Sequence, residues 1–80
     1  MFYVYILKSE NNGKYYIGCT KDIEKRIREH NSGKTKSIKA FLPYSVAYKE
    51  EFTNFSEARK RERFIKAQKS RKYIDELINR

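Results

Sequence analysis

Three charged or titratable side chains fall where helical periodicity expects apolar ones: Arg26 and His30 on one amphipathic stretch, Glu62 on another. A guanidinium offers anions a planar fork, an imidazole titrates near neutrality, and a carboxylate pairs with cations. Burying such a group unpaired is costly, so each must pair with another, bind something, or open to a cleft. Their signs are complementary, two donors on one segment and one carboxylate on the other. Tyr5 and Tyr16 add phenols, so five polar groups can converge on one anion-sized hollow. Each has a plainer reading. Tyr5 and Tyr16 are sheet aromatics, Arg26 a solvated helix residue, His30 a partner of the helix C-terminal dipole, and Glu62 a surface pair with Lys66. Cys19 reads as a small buried apolar residue, since its one candidate base is His30.

The elements that must position these groups follow from pattern. Phe2 to Leu7 is apolar on both alternating sets, which predicts an interior strand covered on both faces. Asn12-Gly13 is a hairpin signal, and Lys14 to Cys19 reads as the return strand. Any even-length loop here, at 12–13 or 10–13, puts Tyr3, Tyr5 and Leu7 on the same face as Tyr16 and Gly18. Asp22 is a candidate N-cap for a helix to about Asn31, where Asn31-Ser32-Gly33 supplies the stop. Its apolar stripe is Ile23 and Ile27, shared with Arg26 and His30. Lys34 to Lys39 is a basic connector, and Tyr44 to Phe52 alternates as a third strand. A second helix opens at 53–56, capped by Thr53 or Ser56, with a buried stripe of Phe55, Ala58, Ile65 and Gln68 or Lys69. Glu62 points inward with that stripe. Ser70 breaks it from a last helix carrying Tyr73, Ile74, Leu77 and Ile78. The order β-β-α-β-α-α predicts an α+β domain, helices against a small three-stranded sheet.

Composition removes several classes. Eighty residues make one small domain, which buries roughly 60% of its unfolded surface. Twelve aromatics (seven Tyr, five Phe) with only three Gly and one Pro argue against a disordered tail. One Cys and one His make neither a disulfide nor a Cys/His zinc site. The six-residue apolar run is far short of the ~20 that cross a bilayer, and it lacks signal-peptide features. No GxxxxGK[ST] or GxGxxG phosphate loop occurs. The chain reads as a soluble, cytoplasmic domain, and its net charge of +9 points to a polyanion partner, with nucleoid association in view. No helix pairs a basic face with a broad apolar one, which argues against a membrane surface.

Val4-Tyr5-Ile6, then Tyr16-Ile17-Gly18 eleven residues on, Arg26-x-x-x-His30, and Lys60-Arg61-Glu62-Arg63-Phe64-Ile65-Lys66 together resemble the GIY-YIG nuclease family. Val stands where the family name has Gly; the second triplet is intact. The match runs over nearly the whole chain and is similar to the short single-domain bacterial members, which are related to the N-terminal nuclease domain of an excision-repair endonuclease. The resemblance implies the GIY-YIG fold over residues 1–80, a mostly antiparallel three-stranded sheet flanked by helices, and metal-dependent hydrolysis of DNA phosphodiesters with Mg²⁺ or Mn²⁺.

Carried over by motif, Tyr5 and Tyr16 are the two signature tyrosines, Arg26 the helix arginine, His30 the His-or-Tyr position, and Glu62 the metal-binding glutamate. Gly18 is expected to leave room beside Tyr16 for the phosphate. Arg26 would hold a non-bridging oxygen, and either Tyr16 or His30 would take the proton from water. The family's further Asn about a dozen positions after the glutamate is missing from Lys69 to Ile74. Lys34, Lys36, Lys39, Arg59, Arg63, Lys66, Arg71 and Lys72 are available to phosphates, and nothing resembles a base-reading helix. The expected partner is DNA, branched or single-stranded, cut with little sequence specificity. The alternatives are a non-catalytic nucleic-acid-binding module and a protein-interaction module serving a partner nuclease.

Overall fold

The strand β1 (Phe2–Ser9) is the middle of a three-stranded sheet of order β2-β1-β3, with β2 (Tyr15–Thr20) and β3 (Tyr44–Phe52) on either side. Both pairings are antiparallel, so the sheet is wholly rather than mostly so. Helices α1 (Ile23–Asn31), α2 (Phe55–Ala67) and α3 (Arg71–Ile78) complete the order β-β-α-β-α-α. The computed structural model describes residues 1–11, 13–32 and 43–79. The basic connector Lys34 to Lys39 and the Gly33 stop lie outside the described residues.

The doubly apolar pattern of β1 has a direct structural meaning. Val4 and Ile6 face one side, where they pack with Ala58 and Ile65 of α2 and Ile74 and Leu77 of α3. Tyr5 and Leu7 face the other, with Tyr16, Tyr44 and the α1 residues Ile23 and Ile27. Val4, Ile6 and Leu7 have no exposed surface, and burying each aliphatic chain contributes roughly 1.5–3 kcal/mol.

The hairpin loop is the four-residue one: Ser9 N–H donates to Lys14 O (2.8 Å) and Gly13 N–H to Ser9 O (2.9 Å). Gly13 sits at φ 74°, a left-handed conformation that suits glycine. The even loop sets Tyr5 opposite Gly18 and Leu7 opposite Tyr16, as the parity argument requires.

β3 departs from simple alternation. Phe2 to Ile6 pair with Phe52 to Tyr48, but Leu7 pairs with Val46, which leaves Ala47 as an extra residue. A one-residue slip moves every later side chain to the opposite face. Tyr48 and Phe52 therefore join the α2/α3 core, whereas Tyr44 turns to the α1 side.

The helix caps are local side-chain chemistry. Lys25 N–H donates to Asp22 Oδ1 (3.0 Å) and Tyr73 N–H to Ser70 Oγ (3.1 Å), at the predicted starts of α1 and α3. For α2 the cap is Asn54, whose Oδ1 accepts from Glu57 N–H (2.8 Å), in place of Thr53 or Ser56. That start leaves Phe55 half exposed against the Phe2 ring, while the buried stripe of α2 is Ala58, Glu62 and Ile65. Gln68 and Lys69 are both exposed, beyond the end of that stripe.

Candidate active site

Four of the five singled-out residues meet on the α1 side of the sheet. Tyr5 rises from the central strand and is 1% exposed; Tyr16 comes from β2. His30, on the last turn of α1, is 3% exposed and stands among three phenols. Its ring centroid is 4.6 Å from that of Tyr16, 6.2 Å from Tyr44 and 6.5 Å from Tyr5. Arg26, one helical turn earlier, acts electrostatically on both Tyr5 and His30.

Burial and charge tune these groups. Desolvation outweighs the nearby Arg26 guanidinium and pushes the Tyr5 phenol up from 10.0 to about 12. Desolvation, then Arg26, pulls the His30 imidazole below its ordinary 6.5, against a smaller opposing pull from Glu29. Tyr5 thus holds its proton and His30 is neutral at physiological pH.

Among the described residues, three buried polar atoms in this cluster have no hydrogen-bond partner: Tyr5 Oη, His30 Nδ1 and His30 Nε2. Arg26 lies near the Tyr5 hydroxyl but outside hydrogen-bonding geometry. Each orphaned group costs on the order of 1–3 kcal/mol, a cost a bound polar ligand removes.

Glu62 comes from the other layer. It is 4% exposed, on the α2 face that covers Cys19, and its charge raises the pKa of both the Tyr5 phenol and the Cys19 thiol. β2 is an edge strand with Gly18 opposite Tyr5, so the acidic group and the phenol act on each other at the sheet's margin. Glu62 Oε1 accepts from Arg59 (2.9 Å) and Oε2 pairs with Lys66 (2.9 Å). The plain helix-surface pairing and the inward placement therefore both hold: the carboxylate is buried while its two cations are half exposed. Cys19 is partly buried with a raised pKa, which leaves it a weak nucleophile.

Gly18 differs from expectation. A Cβ built there would lie 2.5 Å from Tyr5 Cζ and closer still to the hydroxyl. The missing side chain makes room for the Tyr5 ring, and the space is not open to a phosphate.

Two further residues shape the cluster. Asn31 clamps the backbone of Tyr44 twice: its Nδ2 donates to Tyr44 O (3.1 Å) and Tyr44 N–H donates to its Oδ1 (2.7 Å). This ties the end of α1 to the start of β3 and holds the Tyr44 ring against His30. Nothing in the local pattern marks Tyr44, because the face it takes depends on the Ala47 bulge. Asn31 reads locally as a helix stop.

A divalent ion would find one buried carboxylate here. Among the described residues no group of three His, Cys, Asp or Glu side chains could hold a metal. A hard cation that keeps most of its waters fits such a site, and Arg59 and Lys66 are exposed enough to move off Glu62.

Residues 1–74 match the family model described as the GIY-YIG catalytic domain. A UPF0213 protein of Staphylococcus saprophyticus is 46% identical over 78 residues, covering 92% of this chain and 94% of its own length. One from Halobacterium salinarum is 37% identical over 67 residues, covering 82% and 86%. The solution NMR structure of a UPF0213 protein from Bacillus halodurans is similar at a TM-score of 0.62 and 33% identity, over 99% of this chain and 84% of that one.

Proposed function

This chain belongs to the GIY-YIG family, and from that premise we propose that residues 1–80 act as a divalent-metal-dependent endonuclease on DNA, with little sequence specificity, in the cytoplasm. A nuclease-like function is supported by the family match. The observation that carries the reading further is the set of three orphaned buried atoms, Tyr5 Oη and both His30 nitrogens, beside the unneutralised guanidinium of Arg26. Among the described residues Arg26 has no ion-pair partner. A phosphate oxygen and a water would satisfy all of them.

In this reading Arg26 takes a non-bridging phosphate oxygen, and charge placed there is typically the largest contribution to rate. Tyr5, protonated up to about pH 12, donates its hydroxyl hydrogen to the same phosphate. Neutral His30 accepts the proton from the attacking water at a ring nitrogen, directly or through the adjoining Tyr16 phenol. Glu62 would hold the divalent ion that GIY-YIG nucleases generally use, with Mg²⁺ or Mn²⁺ proposed here. When bound, that ion supplies neutralisation of charge on the scissile phosphate and leaving oxygen. Net charge of +9 gives backbone-directed binding that weakens steeply with salt.

The experiment is a cleavage panel of flapped, branched, single-stranded and duplex DNA, and of RNA, with Mg²⁺, Mn²⁺ or EDTA. Cutting that needs metal and falls at least about a hundredfold in Glu62→Gln, with binding retained, is the expected result. Absence of cutting under every metal, or equal cutting by Glu62→Gln, overturns the proposal. A second reading, a nucleic-acid-binding module without turnover, draws on the double ion pair that already satisfies Glu62. Binding that survives both Arg26→Ala and Glu62→Ala, with no cleavage, would favour it.

A further inference from the structure

On the α2/α3 side of β2 lies a cavity of about 370 Å³ that the chemistry above does not use. Its floor is apolar, Ile17 from β2 with Ile65 and Ile74 from the helices, and its rim carries Lys66, Lys69 and Arg71. An apolar floor under a cationic rim suits an anion with a flat apolar body. We propose that this cavity binds one unstacked nucleotide of a single-stranded segment, next to the bond cut at the Glu62 site. The position rests on the proposed nuclease activity; the ligand chemistry does not.

Size is the first argument. Small-molecule pockets begin at roughly 300 Å³, so a hollow of about 370 Å³ suits one base and its sugar. The second is a stacking surface. The Arg71 guanidinium lies 4.8 Å from the centre of the Tyr15 ring, and the Tyr15 hydroxyl donates to Asp75 Oδ1 at 2.5 Å. Asp75 in turn stands 4.0 Å from Arg71, whose side chain is 57% exposed. The guanidinium thus rests near the Tyr15 ring and stays more than half exposed, and unstacked bases lie on such planes.

The third is placement. Lys66 lines the cavity and pairs with Glu62 at 2.9 Å. At ~1.5 Å of rise per residue, Lys66 is about 6 Å along α2 from Glu62, and Lys69 follows just past the helix end. A strand whose phosphate sits at Glu62 reaches the cavity within a few nucleotides. In a duplex the base would remain paired and stacked, so occupancy selects for single strands and flaps.

The test measures binding in EDTA, where cleavage plays no part. A fluorescein-labelled thymidine octanucleotide and a short duplex are titrated against wild type, Lys69→Asn/Arg71→Gln, and the control Lys60→Gln/Arg63→Gln. Asn is chosen because Lys69 has φ 48°, which Asn tolerates. The control removes the same charge from the exposed face of α2. Expected is a loss of single-strand affinity about tenfold larger in the cavity variant than in the control, with equal, smaller losses on duplex. Equal losses for both variants, or a duplex loss as large as the single-strand one, overturn the proposal. If the cavity variant fails to melt cooperatively, thymidine monophosphate is titrated into the wild type. Amide shifts at Ile17, Lys69, Arg71 and Ile74 are then expected, and their absence overturns it. Cavity binding without any cleavage would strike only the nuclease reading, and cleavage with no cavity effect only this one.

Discussion

Tyr5 lies across Gly18, the residue directly opposite it on β2, so closely that the phenol occupies the volume any other side chain at 18 would need. With Tyr5 1% exposed, the ring has nowhere to retreat. Gly18→Ala should therefore cost about 1–3 kcal/mol in urea unfolding. In a Tyr5→Leu background the same change should cost less than about 0.5 kcal/mol, since the clash is gone. An equal cost in both backgrounds would mean that the conflict lies elsewhere.

The Asn31 clamp on Tyr44 predicts a graded series. Asn31→Ala loses both bonds and should lower stability by about 1–3 kcal/mol, with faster amide exchange at Tyr44. Asn31→Asp keeps the acceptor for Tyr44 N–H and loses the donor to Tyr44 O, so its loss should be intermediate.

Acid stability should report on His30. Its folded pKa lies below 6.5, so as pH falls the unfolded chain binds the proton first. The contribution is present above pH 6.5 and is lost progressively below it, through the lowered folded value. His30→Phe should flatten that part of the acid limb of a melting-temperature profile; an unchanged limb would contradict the lowered value.

Alkaline stability should report on Tyr5, with the opposite sign. The folded phenol keeps its proton to about pH 12 where the unfolded one loses it near 10.0. Stability is full below pH 10.0 and declines towards about 12, by on the order of 3 kcal/mol. The difference between wild type and Tyr5→Phe should open across that window and nowhere below it.

Lys66 occupies Glu62 Oε2 and must leave it for a divalent ion to take that oxygen. Lys66→Met should then lower the Mg²⁺ concentration that gives half-maximal cleavage, by about threefold or more, while EDTA abolishes cleavage in both proteins. A higher Mg²⁺ requirement would show that Lys66 assists the site instead of competing for it.

Much of this arrangement is written in local pattern. The double apolar set of Phe2–Leu7 makes β1 central, the even hairpin loop puts Tyr5 and Tyr16 on one face, and helical spacing turns Arg26, His30 and Glu62 inward. Asp22 and Ser70 mark helix starts because their side chains bond a backbone amide three residues on. These features need only neighbours in the chain, so the amino-acid order carries them.

The rest is decided between elements. The alternation of Tyr44, Val46, Tyr48 and Phe52 implies one shared face, yet pairing with β1 inserts Ala47 and turns Tyr44 to the His30 side. Gly18 reads as open space, but the filled volume belongs to a strand partner thirteen positions away. Glu62 shares its helix with its two cations, while the phenol it influences stands across an edge strand. Sequence alone determines which side chains share a face of an unbroken helix or strand, because helix and strand periods are properties of the backbone itself. Only the folded chain decides what they meet there, because strand register, a bulge and the packing of two layers depend on surfaces far apart in the sequence.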